Sequence, residues 1–384
     1  MNMEKKEIYL DNASTTPVFK EVVEEMEKFY LEDYGNPSSQ HEIGERAERA
    51  MNLAREKIAL EIGAKAYEII FTSGTTESNN LAFFGLARKI KYKRKIIVSS
   101  IEHSSIFEIC IALKKEGCKI VEIPVNKEGI LNVKKLEKEI DNNTLLVSVM
   151  HVNNEIGVIQ DIEKIGYICR NKNILFHTDC AQSFGKLGIN VREMNIDLLS
   201  AGAHKIGGPK GSGILYVRKG LEIEPVIYGG GQERGLRGGT ENVPGIIGFA
   251  KALELTRKIN KEKIIKLRDY FISKLEKIGG KINGSKEKRI YNNINVSFTG
   301  IEGEILVVFL SNKKIYVSAG SACDNKKKKE SKILKEIGLT HDEINGSIRI
   351  SLDEKISKKD LDCAIYEIKK NVDKLMLFRT TSLG

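Results

Sequence analysis

The chain has 384 residues, of which 41% are hydrophobic, and its formal net charge is +10. This length is enough to bury a substantial core and fits a protein of two domains. No apolar run approaches the length of a transmembrane helix, and the charged N-terminus lacks the apolar region of a signal peptide. We therefore expect a cytoplasmic protein with no membrane partner.

The cysteines and the lysines restrict the kinds of site further. The absence of CxxC spacing argues against a zinc site and against a disulfide framework, so no metal is expected. Five of the cysteines lie in apolar context and are expected to be buried, whereas Cys323 lies in a polar segment. The six cysteines are Cys110, Cys118, Cys169, Cys180, Cys323 and Cys363.

Most of the lysine excess is spread over predicted helix faces, as on a solvated surface. One block, at 326–329, is concentrated. No RNA-binding signature accompanies it, so we expect no direct nucleic-acid partner. An acidic protein, or a protein that handles tRNA, would suit this block.

The N-terminal part predicts a strand, a helix and a second helix in succession. Residues 8–10 are apolar and predict a short strand. Pro17 is expected in the first turn of the following helix, where its missing N–H is tolerated. Ser39 and Glu42 match a capping box for the next helix.

Seven apolar runs alternate with helical segments through the middle of the chain. Continuous apolar runs are typical of strands that are buried on both faces. The alternation predicts an α/β fold with a mainly parallel seven-stranded sheet, which binds ligands at the carboxyl ends of its strands. The predicted strands are 68–72, 95–99, 119–125, 144–150, 174–178, 196–199 and 213–217, and helices include 77–90, 104–116 and 162–171.

The pattern changes after Pro244 to that of a smaller α+β domain. A long lysine-rich helix is predicted from about 246 to 278. The later elements are strands 293–298, 315–318 and 347–352 and helices 302–311 and 358–376. We expect a large domain at 16–255, and a small domain formed by 1–15 and 256–384 that carries the Cys323 loop.

Two charged residues follow predicted strands in a pattern suited to pyridoxal phosphate (PLP). Asp179 follows strand 174–178, and Lys205 follows strand 196–199 in a glycine-rich loop. A lysine in a cleft can lose its proton through burial and become a nucleophile toward carbonyl groups. PLP enzymes attach their cofactor to such a lysine and use a carboxylate to keep the ring nitrogen protonated. Taken alone, Lys205 would be one more surface lysine.

Further polar groups occur at other predicted strand ends. Thr75 and Thr76 open the helix after strand 68–72, where free N–H groups and hydroxyls suit a phosphate monoester. His103 follows the next strand and can stack on a ring or carry a proton. Asn153 and Asn154 can bind a phenolic oxygen or a carboxylate. Each group alone is equally consistent with a helix cap, a structural histidine or a turn.

In this combination and order, the residues resemble the cysteine desulfurases, of the class V aminotransferase branch of fold-type I PLP enzymes. The matching stretches span nearly the whole chain, and the Cys323-to-Arg349 segment has the length of the long-loop class. The stretches are YLDNASTTP (9–17), GNPSSQH (35–41), FTSGTTESN (71–79), EH (102–103), MHVNNEIGVIQ (150–160), TDCAQSFGK (178–186), AHKIGGPKG (203–211), GGGQERGLRGGT (229–240), SAGSAC (318–323) and SIRISL (347–352).

The resemblance implies PLP as the cofactor. Lys205 would hold it covalently and move protons, and Asp179 would pair with its ring nitrogen. A departure from the family is Gly202, which stands where a phosphate-binding serine is usual. The other implied cofactor residues are Gln182 and Asn154 at the phenolic oxygen, His103 on the ring, Thr75, Thr76 and His204 at the phosphate, and Thr240 from the neighbouring subunit of a homodimer.

The resemblance also implies L-cysteine as the substrate and L-alanine as a product. Arg349 would bind the α-carboxylate through its guanidinium, and Asn12, Asn36 and Asn154 would border the substrate. Cys323, favoured as thiolate by the nearby lysines, would carry the sulfur as a persulfide to an iron–sulfur scaffold or a tRNA-thiolation enzyme. The implied catalytic residues are Cys323, Lys205 and His103.

Two other functions remain consistent with the sequence. A selenocysteine lyase or another class V aminotransferase would use the same scaffold, and a Cys323→Ala variant would still release alanine at full rate. A catalytically idle adaptor would use the lysine loop to hold protein or RNA. The absorbance of PLP bound to Lys205 would count against the adaptor.

Overall fold

The structure, a computed structural model, describes residues 6–320 and 330–382. Within these ranges, none of the helices combines the length and the apolar character that crossing a bilayer requires. The strands are β1 (Ile8–Tyr9), β2 (Ile69–Thr72), β3 (Lys95–Ser99), β4 (Lys119–Ile123), β5 (Thr144–Ser148), β6 (Leu175–Asp179), β7 (Leu198–Gly202), β8 (Gly213–Val217), β9 (Lys281–Ile282), β10 (Asn293–Ser297), β11 (Ile315–Tyr316), β12 (Ser318–Ala319) and β13 (Ser347–Ser351). The α-helices are α1 (Lys20–Leu31), α2 (Glu42–Glu61), α3 (Thr75–Lys89), α4 (Ser104–Lys115), α5 (Val133–Glu139), α6 (Ile162–Asn171), α7 (Val243–Thr256), α8 (Lys261–Lys277), α9 (Gly303–Ser311), α10 (Lys332–Glu336), α11 (His341–Asn345) and α12 (Lys358–Ser382).

The largest sheet has seven strands in the order β2-β8-β7-β6-β5-β3-β4. Strand β8 is antiparallel to both of its neighbours, and the other adjacent pairs are parallel. The predicted mainly parallel sheet of seven strands is therefore confirmed, with β8 as its reversed strand. Because β8 runs backwards, its first residue lies at the same edge as the carboxyl ends of the other strands.

Alternating residues of this sheet face two hydrophobic cores. Val147 and Phe176 pack on one side with residues of α1, α2 and α7. Leu146 and Leu198 pack on the other side with residues of α3 and α4. Both faces of the inner strands are covered, which explains why these strands are mostly apolar instead of alternating, whereas the edge strand β4 is partly exposed.

The remaining strands build a smaller α+β unit, as the sequence predicted. β12, β13, β10 and β9 form a four-stranded antiparallel sheet, and β1 pairs in parallel with β11. Their core includes residues of α8, α9 and α12. Leu10, from the N-terminal segment, is fully buried in the same core.

Three local predictions at the N-terminal half and the long helix are wrong. Helix α1 begins at Lys20, because the segment around Pro17 runs extended along the turn that carries Lys205. The cap of α2 is His41, whose Nδ1 accepts from the N–H of Gly44, and not Ser39. The predicted helix 246–278 is two helices, since α7 ends at Thr256 and Asn260 caps the start of α8.

One cysteine prediction is also wrong. Cys110, Cys118, Cys169 and Cys180 are buried as expected, but Cys363 is exposed. Cys363 lies on the solvent side of α12 between the buried Leu361 and Ala364. The apolar character of its neighbours belongs to the opposite face of that helix.

Candidate active site

Loops from five strands meet at one edge of the large sheet. They carry Thr75 after β2, His103 after β3, Asn154 after β5, Asp179 at the end of β6 and Lys205 after β7. The loops surround a cavity of about 500 Å³. This edge is where parallel α/β sheets bind ligands, because the strand order brings distant loops together there.

Most of the predicted site residues line this cavity, although some do not. Three described residues that were predicted to take part, Asn12, Asn36 and Thr240, are absent from its lining. The predicted residues that line it are Thr75, Thr76, His103, Asn154, Asp179, Gln182, His204, Lys205 and Arg349.

Asp179 is buried and has a fixed orientation. Its Oδ2 accepts a hydrogen bond from Asn79 Nδ2 at 2.9 Å, and its Oδ1 accepts from the N–H of Ala181 at 2.9 Å. Asn79 lies on α3 and is itself fully buried. The carboxylate is therefore held at the cavity by two neighbouring elements, and it can pair there with a protonated ring nitrogen.

His103 caps helix α4 and is neutral at pH 7. Its Nδ1 accepts from the N–H of Ser105 at 3.2 Å, so the neutral ring carries its proton on Nε2. Burial lowers the pKa of His103 below its usual 6.5, the charge of Asp179 opposes this, and the charge of Lys205 adds to it. A neutral imidazole at the cavity can accept or donate a proton near neutral pH.

Lys205 ends a short 3-10 turn, 203–205, that directly follows β7. The N–H of Ala203 donates to Ser212 O at 3.0 Å, which ties the turn to the start of β8. The next turn needs Gly207, since its φ is +77° and a Cβ there would lie 2.1 Å from the ring of Phe19. These contacts fix the backbone that presents the lysine.

His204, next to the lysine, is also neutral. Its Nδ1 lies 3.2 Å from Thr15 Oγ1. Burial, together with the charges of Lys205, Lys210 and Lys186, lowers the pKa of His204 to about 4. Its ring therefore enters any interaction with an anion as a hydrogen-bonding group and not as a cation.

The start of α3 has the features of an anion site. The first N–H groups of a helix have no partner within it, and the helix dipole favours negative charge there. Thr75 Oγ1 and Ser212 Oγ are buried without a hydrogen-bond partner in the described chain. A Cβ on Gly202 would lie 2.9 Å from Thr75 Oγ1. A serine at position 202 would therefore require the Thr75 hydroxyl to shift. Lys210 adds a cation to the lining.

Arg349, on β13, reaches the cavity from the smaller unit. It is 3% exposed, and its Nη2 donates to Asp11 Oδ1 at 2.8 Å and to Ser318 Oγ at 3.2 Å. Its Nη2 also bonds Ser14 Oγ, and its Nη1 donates to Asn154 O at 3.1 Å. Its buried Nε has no partner among the described residues. The Nε–H group can therefore donate a hydrogen bond to the carboxylate of a bound ligand.

Two amides complete the lining. Gln182 Nε2 donates to Ala13 O at 2.9 Å, which fixes the side chain against the N-terminal segment. Asn154 is buried, and its Oδ1 has no partner within the described ranges. Asn154 therefore has free hydrogen-bonding capacity at the cavity.

The three predicted residues that do not line the main cavity lie in different surroundings. Asn12 is buried behind Lys205, where it borders a second, smaller cavity, and its Nδ2 donates to Ser351 O. Asn36 is exposed in a turn and accepts from Ser38 N, so within one chain it does not border the substrate cavity. Thr240 is exposed on the 229–240 loop.

Cys323 and the lysine block 326–329 lie outside the described residues. Strand β12 precedes that segment and pairs with β13, with Ser318 opposite Arg349. After the segment, Ser331 Oγ donates to Glu155 Oε2 at 2.5 Å. Both flanks are therefore held next to residues that line the cavity.

Sequence reasoning missed several residues that shape the site. Lys210 and Ser212 were not selected, because β8 was not recognised as the reversed strand whose start lies at the active edge. Asn79 lies within the recognised stretch 71–79 and Ser105 lies two residues after His103, and although neither was selected, each bonds a site residue directly. Gly213, beside Ser212, was the available signal, since a Cβ there would lie 2.5 Å from Gly74 Cα, where two loops approach closely.

The donor set fits PLP better than it fits a metal. Among the described residues, no group of three or more His, Cys, Asp or Glu side chains could hold a metal ion. The partnerless hydroxyls of Thr75 and Ser212 suit a phosphate ester, Asp179 suits a protonated pyridine, and Lys205 suits an aldehyde.

Comparison with known proteins agrees with this arrangement. The family model "Aminotransferase class-V" matches residues 8–363. The "Cysteine desulfurase IscS" of Methanosarcina thermophila is 46% identical over 380 residues, which covers 98% of this chain and 94% of that protein. A solved structure described as "NIFS-LIKE PROTEIN" superimposes with a TM-score of 0.91 at 39% identity, covering 96% of this chain and 100% of its own. Another, "SspA in complex with cysteine", has a TM-score of 0.83 at 39% identity, covering 90% of this chain and 99% of its own. The chain therefore belongs to the class V aminotransferase family, within its cysteine desulfurase branch.

Proposed function

We propose that the protein is a PLP-dependent cysteine desulfurase, which converts L-cysteine to L-alanine and holds the sulfur as a persulfide on Cys323. The relatives are described as cysteine desulfurases, and one structural neighbour is described as a complex with cysteine. The observation that carries the proposal is one cavity at which Lys205, Asp179 and the partnerless Thr75 hydroxyl meet.

PLP, when bound, supplies an aldehyde that reacts with amines and a ring that spreads negative charge. In this proposal Lys205 holds the aldehyde end and Asp179 holds the ring nitrogen. The phosphate is assigned to the start of α3, and the phenolic oxygen to the amides beside it. The remaining assigned residues are Thr75, Thr76 and His204 for the phosphate, Thr240 from the second subunit of a homodimer, and Gln182 and Asn154 for the phenolic oxygen.

The chain's own groups bind the substrate and move its protons. Arg349 orients the α-carboxylate of L-cysteine through its free Nε–H, while Asp11 keeps the guanidinium in place. His103 exchanges a proton at Nε2, because its Nδ1 is occupied by Ser105. Lys205, in its unprotonated form, moves a proton at the substrate carbon. Asn12 and Asn36 are assigned to the border of the substrate site.

Cys323 carries out the sulfur transfer. Its thiolate attacks the substrate sulfur, a sulfur–sulfur bond forms, and the carbon–sulfur bond breaks. The substrate carbon takes up a proton and leaves as L-alanine, and the sulfur stays on Cys323. We assign the acceptor to a cytoplasmic iron–sulfur scaffold or a tRNA-thiolation enzyme.

The division into domains is also a proposal. We assign 16–255 to a large PLP-binding domain, and 1–15 with 256–384 to a small domain that carries the Cys323 loop. The support is that Leu10, at the N-terminal end, packs in the core that includes α8, α9 and α12. The active site then lies between the two domains, because Arg349 comes from one and Lys205 from the other.

The test is to incubate the PLP-loaded protein with L-cysteine and to analyse the mass of the peptide that contains Cys323. The expected result is one or more added sulfur atoms on that peptide, with equimolar alanine. The matched control is Cys323→Ser, which should bind PLP with an unchanged spectrum and release alanine at least ~100-fold more slowly, because the nucleophile is lost.

Two results would contradict the proposal. Absence of added sulfur on the peptide, with PLP bound, would remove the desulfurase function. Full-rate alanine release by Cys323→Ala would instead favour another class V activity, such as that of a selenocysteine lyase.

A further inference from the structure

Ser105 is a polar residue of the main cavity to which the proposed reaction gives no role. It lies in the first turn of α4, two residues after the cap His103, and it is partly buried. Its Oγ lies 2.9 Å from His103 Nδ1, and the same Oγ accepts a hydrogen bond from Asn79 Nδ2 at 3.2 Å. Ser105 therefore lies between an amide of α3 and the histidine that we assign to proton transfer.

The amide of Asn79 has one favoured orientation, because it faces a carboxylate. Its Nδ2 donates to Asp179 Oδ2 at 2.9 Å as well as to Ser105 Oγ. The reverse orientation would place its carbonyl oxygen, which has no partner in the described chain, against an oxygen of Asp179. The amino group carries two hydrogens, and these two bonds use both of them. Asn79, which is fully buried, therefore joins Asp179 to Ser105.

These contacts fix the direction of the hydrogen bond between Ser105 and His103. The backbone N–H of Ser105 donates to His103 Nδ1 at 3.2 Å, so Nδ1 is an acceptor and carries no proton. The Ser105 hydroxyl has one hydrogen, and with Nδ1 unprotonated that hydrogen supplies the contact of 2.9 Å. The donors therefore run in one direction, from Asn79 through Ser105 to His103.

The consequence falls on the other ring nitrogen of His103. A neutral imidazole has one proton, and with Nδ1 as an acceptor that proton lies on Nε2. If the proton moved to Nδ1, the Ser105 N–H would lose its acceptor and the Ser105 hydroxyl would have to rotate away. Within the described ranges Nε2 has no partner, and His103 lines the main cavity. The ring therefore meets a bound substrate as a hydrogen-bond donor at Nε2.

We propose that Ser105 and Asn79 are positioning residues that act through His103: their hydrogen bonds hold its ring in the tautomer that offers a proton at Nε2. The inference rests on the proposed function only in that His103 exchanges a proton with the substrate. Because Asn79 also donates to Asp179, the same amide fixes the carboxylate and the histidine relative to each other. Both groups are therefore oriented before a ligand arrives.

The test measures which nitrogen of His103 is free, in the full-length protein without bound PLP. Diethyl pyrocarbonate acylates an imidazole nitrogen that carries no proton, and mass spectrometry of the His103 peptide gives the rate. At about pH 7.5 the ring is neutral, because burial lowers its pKa. The unprotonated nitrogen of the wild type is the covered Nδ1, so the reaction should be slow. Ser105→Ala removes one hydrogen bond that favours this tautomer, and it should raise the rate about 5-fold.

Two further variants separate the hydroxyl from a general effect on α4. Ser105→Thr keeps the hydroxyl and should react within about 2-fold of the wild-type rate. Ser104→Ala is the matched control, because Ser104 begins the same helix and its side chain makes no hydrogen bond to the ring. An unchanged rate in Ser105→Ala, or an equal rise in Ser104→Ala, overturns the proposal.

The part played by Asn79 is tested by combining variants. Asn79→Leu frees Ser105 Oγ to accept a proton from Nδ1 and should raise the rate about 2- to 3-fold. It should raise the rate no further in Ser105→Ala, because Asn79 reaches His103 only through that hydroxyl. Asn79→Ala gives the same comparison if Asn79→Leu does not fold. Additive effects, or no effect of the Asn79 variant alone, overturn its role.

These measurements are independent of the reaction that we propose. Neither PLP nor L-cysteine is present, so the state of the His103 ring is measured whether or not the protein desulfurates cysteine. Absence of sulfur on the Cys323 peptide would remove the desulfurase function and leave the acylation rates unchanged.

Discussion

At the scale of single residues, Glu102 is an ionisable group that the fold keeps away from water. It is 1% exposed, its Oε1 accepts from Met150 N at 2.8 Å, and its Oε2 has no partner among the described residues. Burial raises the pKa of Glu102 well above the usual 4.5, against the hydrogen bond from Met150, and the charge of Asp179 raises it further. The protonated form of Glu102 is therefore more favoured than that of an ordinary glutamate.

This raised pKa predicts a specific pH dependence of stability. The stability linked to the proton of Glu102 is fully present below pH 4.5 and is lost as the pH rises through the folded-state pKa. Glu102→Gln keeps the acceptor for Met150 N and cannot ionise. Its melting temperature relative to the wild type should therefore rise as the pH increases from the usual glutamate value of 4.5 toward the raised folded-state pKa, and then level off.

Thermal unfolding followed by circular dichroism at a series of pH values measures this difference. Glu108→Gln, on the neighbouring helix α4, is the control, because that carboxyl group faces solvent. If the melting temperatures of the wild type and of Glu102→Gln changed with pH by the same amount, Glu102 would not be protonated in the folded state.

At the scale of elements, the 229–240 loop is clamped to β2 and α2 by one buried ion pair. Arg55, on α2, makes two bonds of 2.7 Å to the carboxylate of Glu233, and the same carboxylate accepts from Phe71 N at 2.8 Å. The side chains are 8% and 2% exposed. Glu233 and Arg234 both have positive φ, so the clamp holds the loop in a conformation that non-glycine residues disfavour.

Breaking this clamp should be costly. Glu233→Gln leaves the guanidinium of Arg55 buried without its counter-charge, and we expect the free energy of unfolding to fall by about 3–5 kcal/mol. Urea denaturation measures it. Glu222→Gln, which breaks the exposed pair with Lys89, is the matched control and should have a much smaller effect. Equal effects of the two variants would show that the buried pair contributes no more than the surface pair.

Element prediction from the sequence succeeded where periodicity decided the outcome. The strands of the large sheet were found because burial on both faces makes their runs continuously apolar. The break between α7 and α8 was missed, because it depends on the Thr256 hydroxyl, which bonds Ile206 O and Ala252 O, and on the Asn260 cap. Pro17 was misplaced for a similar reason, since its segment bonds to a turn far along the chain.

At the scale of the whole molecule, the site could be predicted in part. Thr75, His103, Asp179 and Lys205 were found because each follows a strand whose direction was predictable. The second, smaller cavity beside Asn12 could not be found, because it depends on how the two halves of the chain pack. The placement of 1–15 with the C-terminal residues depends on the pairing of strand β1 with β11, more than 300 residues later, which the local pattern of the sequence does not show.

That placement yields a last prediction about how the molecule unfolds. If 1–15 belongs to the small domain, Leu10→Ala should destabilise that domain by about 2–5 kcal/mol, because Leu10 is fully buried in its core. Hydrogen exchange followed by mass spectrometry should then show faster exchange in β10 and β13 than in β3. Ile97→Ala, in a core of the large sheet, should give the reverse order. Uniform acceleration in both variants would mean that the chain unfolds as one cooperative unit, and that the boundary at 255/256 separates no independent domains.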